Sequence, residues 1–190
     1  MMRNNRKVLS IDPIYQFSKD ELKQRIAETK ETVIEQTKSN VENFVWKNIR
    51  DISHLERIRM NAMTQFLEDF EKGKEQGRYQ YHELPNATDF TDLQFDLGLS
   101  SHFLILYSQL GVDFHIQSIS EMLRICKEVR IFPLLNLDAK QSEVLEPVIE
   151  YFKSDFEVEI KPVDYEFQKG GNEMLLIKRK IDGRNKKNTK

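Results

Sequence analysis

Between residues 95 and 179 the chain alternates apolar strand-like runs with helical apolar periods, and that alternation constrains its fold more than any other feature. The run 95–99 is nearly continuously apolar, as in strands covered on both faces of a parallel sheet. After Asp113, Ile116, Ile119, Leu123 and Cys126 recur every three or four residues, the spacing of one helix face. A second buried strand is expected over 128–135 ("EVRIFPLL"), and Leu145, Val148, Ile149 and Phe152 mark the next helix. Two further strands, 156–164 and 173–179, flank Lys169-Gly170-Gly171-Asn172, which supplies the glycines a hairpin turn needs. Strands alternating with helices imply right-handed crossovers over a mainly parallel α/β sheet, here closed by a C-terminal antiparallel hairpin.

The first half reads differently. A short strand over 7–11 is stopped by Asp12-Pro13. Ser18 and Glu21 have capping-box spacing, so a helix is expected from Lys19 to about Lys47, with Leu22, Ile26, Val33, Val41 and Val45 on its apolar face. Ser53 and Glu56 repeat that spacing before Leu55, Ile58, Ala62, Phe66 and Phe70, a second helix ending before Gly73. A short strand over 79–83 and the loop "LPNATDFTDLQ" lead into the second half. The expected organisation is one α/β domain over 1–181, with a helical-pair insertion at about 19–73 and a disordered basic tail over 182–190.

Several function classes are disfavoured by the residues. Twenty-nine basic residues against 31 acidic give no field to recruit nucleic acid or an anionic membrane surface. The longest apolar region, "LGLSSHFLILY", is too short and polar to span a bilayer, and no secretory signal is visible, so a soluble cytoplasmic protein is expected. The single cysteine, Cys126, lies in a helical apolar stripe and reads as a buried structural thiol. His54, His82, His102 and His115 have no close metal-ligand spacing, so no metal site is expected. No phosphate-cradling glycine loop points to an NTPase or a nicotinamide dehydrogenase.

Four stretches, "VLSIDPIYQFS", "TDFTDLQFDLGLSSHFLILYS", "EVRIFPLL" and "VDYEFQKGGNEMLLIKR", occur in the order found in class I S-adenosylmethionine-dependent methyltransferases, and the chain resembles that family. The second stretch is similar to the family's LPF-x-D-x-x-FDL passage, with Asp89-Phe90 where Pro-Phe is usual. More narrowly, the chain is similar to a bacterial group of methyltransferase-like proteins with "DPIYQFS" and "SHFLFLYS" motifs. The resemblance covers residues 7 to 178 in pattern, and 79 to 178 most closely. It implies a Rossmann-like seven-stranded sheet whose last strand inserts antiparallel. It also implies S-adenosyl-L-methionine as cofactor and methyl transfer to an unknown acceptor.

By that resemblance, Asp12 would accept hydrogen bonds from the cofactor ribose; its alternative role is to cap the turn before Pro13. Glu83, Asn86 and Asp89 compete to meet the adenine amino group, with Leu84 beside the ring. Ser100 and Ser101 end the strand that faces the transferred methyl group, and His102 would orient or deprotonate the acceptor. The competing role for His102 is a capping or core histidine.

The departure from the family is at the start. Its members open with a strand, a glycine-rich loop and a helix, whereas glycine first occurs here at Gly73. The first twelve residues therefore match the family's second strand, and an N-terminally incomplete sheet is expected. In the family the first strand sits between the second and the fourth, so its absence would leave unpaired edges that favour self-association. Two functions follow: a methyltransferase impaired in this chain, or a non-catalytic remnant serving as a protein-interaction module.

Overall fold

The computed structural model describes residues 7–180; the expected tail over 182–190 lies outside them. The chain divides into two compact units, Met1–Asn86 and Ala87–Lys190.

In the first unit, β1 (Ser10–Ile11) pairs in parallel with β2 (Tyr79–Gln80), Ser10 opposite Tyr79. Between them run α1 (Lys19–Ser39) and α2 (Ile52–Glu75). The expected capping box forms: the Glu21 N–H donates to Ser18 Oγ at 3.3 Å, and the Ser18 N–H donates to Glu21 Oε2 at 2.8 Å. α1 ends well short of residue 47. Asn40 turns its amide back onto the Gln36 carbonyl at 2.8 Å, and a 3-10 turn, Val41–Asn43, follows. α2 is capped by Asp51, whose Oδ1 accepts the His54 N–H at 2.7 Å, rather than by Ser53. Glu56, the expected second half of that box, is held instead by Lys30 of α1 at 2.7 Å.

α2 also continues through Gly73 to Glu75. A side chain at Gly73 would meet the Tyr79 ring at 2.3 Å, so the glycine is a seat for that ring and not a stop. Tyr15, Leu22 and Phe70 form the buried centre of this unit, with Phe66, Leu67 and Tyr79 packed against it. Arg78 grips Asp69 with both guanidinium nitrogens at 2.5 and 2.8 Å, fixing the turn into β2.

The second unit contains β3 (Phe95–Ser101), α3 (Val112–Ile125), β4 (Cys126–Phe132), α4 (Leu145–Phe152), β5 (Phe156–Pro162) and β6 (Glu173–Arg179). The sheet order is β3-β4-β6-β5, with β3 parallel to β4 and β6 inserted antiparallel to both of its neighbours. Three strands thus run one way and β6 opposes them. β4 starts two residues earlier than expected and stops at Pro133, which has no N–H for a ladder. Gly170, at φ +76°, lies in the connection between β5 and β6.

The register puts Gly98, Val129 and Ile177 in one row and Ser100, Ile131 and Leu175 in the next. This face lies under α3: a Cβ added to Gly98 would sit 2.8 Å from Cys126 Sγ and 3.2 Å from Met122 Cε. Cys126 is buried, and burial pushes its thiol up to about 11, as expected of a structural cysteine.

On the opposite face, Leu97 is in line with Glu128, Lys178 and Glu157, and Leu99 with Arg130, Leu176 and Glu159. Ion pairs cross this face, Arg130–Glu128 at 2.6 Å and Lys178–Glu157 at 3.0 Å. Leu97 is 41% exposed and Leu99 63%, so β3 is not covered on both faces as its apolar run suggested. Beyond β3 this side carries mostly charged residues, with Leu176 of β6 the buried exception at 3% exposure.

Candidate functional site

In parallel sheets ligands collect beyond the carboxyl ends of the strands. In the second unit, the loops after β3 and β4 meet there: Ser108 donates to Glu143 Oε1 at 2.7 Å, and Asn136 Nδ2 donates to Glu143 Oε2 at 3.2 Å. With the Ser108 bond as the largest cause, these contacts lower the Glu143 carboxyl below its ordinary range. The Asn136 side chain also accepts from the Asp138 and Lys140 backbone amides at 3.0 and 3.1 Å, which shapes the second loop.

His102 stands where β3 ends, at φ +57°, with its N–H on the Phe132 carbonyl at 2.7 Å. Its Nδ1 lies 2.8 Å from Ser101 Oγ, and its ring meets Phe132 edge-on at 5.7 Å. Ser100 Oγ accepts the Leu104 N–H at 3.3 Å and so turns the chain out of the strand. Ile105 follows at φ +72°, a conformation that β-branched residues rarely adopt. Two buried side chains hold it: His115 Nδ1 accepts its N–H at 3.4 Å, and Ser142 Oγ donates to its carbonyl at 2.7 Å. His115 is buried and desolvation lowers its pKa, which suits the neutral ring that accepts at Nδ1.

The remaining residues named from sequence lie elsewhere. Asp12, in the first unit, caps the 3-10 turn Pro13–Gln16 through Oδ1, which accepts the Ile14 N–H at 2.9 Å. Leu84 is half-buried in the same unit. Asp89 is exposed in the second unit, on a loop clamped by Arg124. That guanidinium donates to the Thr88 and Phe90 carbonyls at 3.1 and 2.8 Å, to Asp92 at 2.8 Å and to Glu121 at 2.8 Å. Glu121 also accepts from the Thr88 N–H and Oγ at 2.8 and 2.6 Å. Arg124, the largest cause, and then Thr88 hold the Glu121 carboxyl at about 2 against the opposing effect of burial.

Ser100, Ser101 and His102 are therefore consecutive at one strand end, while Asp12 and Leu84 belong to the other unit. Ser108, Asn136 and Glu143 were missed because their partners are 7 and 35 residues apart, and the clamp because Thr88, Phe90 and Asp92 lie 32 to 36 residues from Arg124, although Arg124 and Glu121 themselves have helical spacing. A surface groove of about 240 Å³ lies beside Arg124 and Arg179, and another of about 250 Å³ lies between α1 and α2; none of the candidate site residues Asp12, Leu84, Asp89, Ser100, Ser101 and His102 lines either. Among the described residues, no three His, Cys, Asp or Glu side chains are grouped as metal ligands. Nor is any described helix long and apolar enough to cross a membrane.

Fold and site together define an α/β protein with a mixed four-stranded sheet, helices against one of its faces, and polar loops at the carboxyl ends of its parallel strands. The chain is 33% identical over 174 residues to an uncharacterized protein of Methanocaldococcus jannaschii, covering 90% of this chain and 76% of that protein, and it belongs to the same family. That relative is archaeal, whereas the motif resemblance pointed to a bacterial group. No family model matches the chain. A solved S-adenosylmethionine-dependent methyltransferase of Methanosarcina mazei is 13% identical, with 55% of this chain and 67% of that one covered and a TM-score of 0.37. A likeness at that level fixes neither fold nor activity.

Proposed function

We propose that this chain carries a methyltransferase-like scaffold, of the class that moves a methyl group from S-adenosylmethionine to an acceptor, and that the chain by itself binds the donor weakly or not at all. One observation carries the reading: β6, last in sequence, lies between β4 and β5 and antiparallel to both. Taken separately, the parallel β1–β2 pair matches the family's second and third strands, and β3-β4-β6-β5 its fourth, fifth, seventh and sixth.

The residues present fit part of the donor. Asp12 uses one carboxylate oxygen on the turn, and a carboxylate can accept further donors from a ribose diol. In the same unit Leu84 suits an adenine ring; in the second unit, taken by itself, Asp89 is an exposed carboxylate that suits an amino group. Ser100 and Ser101 would shape the methyl end, with His102 taking the acceptor's proton, its Nδ1 already beside a hydroxyl. The described connection from β1 to α1 contains no glycine that would let the backbone approach the donor's amino-acid end; the one glycine between β3 and α3, Gly111 at φ +84°, caps α3 instead. The fit is incomplete, and no chemical step follows from it.

Calorimetric titration with S-adenosylhomocysteine tests the binding half, with negligible heat or a Kd above about 100 μM expected. A Kd of a few micromolar would overturn the impaired reading. Amide contacts by NMR between Val129 and Ile177 test the scaffold half, since their absence would remove the inserted strand. A second reading, an interaction module without catalysis, is favoured by the exposed leucines of β3.

A further inference from the structure

The four-stranded sheet has two edges, and they differ in construction. β5 carries Glu157, Glu159 and Lys161 and ends in Pro162, the devices that keep an edge from accepting another strand. β3 has no lysine, arginine or proline in its seven residues, FDLGLSS, and among the described residues it pairs only with β4. Its one charge, Asp96, is already neutralised by Lys127 at 2.7 Å. Leu97 and Leu99 stand out on the face away from α3.

We propose that β3 is a self-association surface: two copies of this chain pair their β3 strands antiparallel about a two-fold axis through Gly98. The strand's own sequence selects the partner and the register. Gly98 is the middle residue, so this axis alone pairs all seven residues of both strands. It puts Leu97 opposite Leu99 of the second copy, and Leu99 opposite Leu97, joining four exposed leucines into one apolar seam. Asp96 falls opposite Ser100 of the second copy, and no like charges meet. A slip by one residue would throw the leucines onto opposite faces. The contact uses the same patch on both copies and closes, giving a dimer with an eight-stranded sheet. The proposal is independent of the methyl-transfer reading.

Light scattering on the purified full chain at about 100 μM tests it. A mass twice the 22.6 kDa of one chain is expected, falling to one chain in Leu99→Lys with an unchanged circular dichroism spectrum. Register is tested by mixing Leu97→Cys and Leu99→Cys proteins under mild oxidation: the mixed disulfide should form at least tenfold faster than either variant links to itself. A monomeric wild type, a dimer that survives Leu97→Lys with Leu99→Lys, open-ended polymers, or no preference for the mixed disulfide would each overturn the proposal. A wild-type monomer would leave the edge to a strand of another chain. If Leu99→Lys does not fold, the disulfide experiment decides alone.

Discussion

β3 and β6 are both seven-residue strands of the same sheet, and each carries apolar residues through its middle. Leu175, Leu176 and Ile177 of β6 are buried, whereas Leu97 and Leu99 of β3 lie open. The difference comes from place: β6 has a strand on each side, while β3 has one neighbour. Apolar content therefore reports what a strand can bury, and its rank in the sheet decides what it does bury.

Truncating the inner strand should have the largest effect. Ile177→Ala removes fully buried volume and is expected to cost about 3 to 4 kcal/mol in urea unfolding. A cost near that of a surface change would erase the contrast. Next comes the clamp that leads the chain into β3. The Glu121 side chain is 8% exposed and its folded pKa is depressed from 4.5 to about 2, so the stability it supplies is present above its unfolded pKa and lost as pH falls through the folded value. The stake is roughly 3 kcal/mol, lost between about pH 5 and pH 2 and absent from the acid titration of Glu121→Gln. Gly98→Ala tests the covered face of β3 itself. The new methyl meets Cys126 Sγ, so a loss of about 1 to 3 kcal/mol is expected, partly restored by Cys126→Ala. The smallest effect belongs to Leu99→Ala, within about 0.5 kcal/mol in the monomer at high dilution.

What could be read from the sequence was local. The Ser18–Glu21 box fixed where α1 begins, and apolar run plus turn placed β6 at 173–179 as found. Pattern alone could not show that β3 is an edge, because an edge is a property of neighbours. Nor could it show that α1 stops at Ser39, which depends on an asparagine folding back on its own helix. The end of β3 brings Ser100, Ser101 and His102 together, as their adjacency in the sequence already implied. Its second layer, His115 and Ser142 on Ile105, joins residues 10 and 37 positions apart and leaves no periodic trace.

Gly73 has a reach beyond its own helix. The hollow it leaves receives the Tyr79 ring, Tyr79 is matched with Ser10 across the short β1–β2 ladder, and the next ladder bond runs from the Asp12 N–H to the Gln80 carbonyl at 3.3 Å. A single missing methyl thus acts as a spacer for a carboxylate sixty-one residues earlier in the chain. Enlarging position 73 would unseat that acid without touching it.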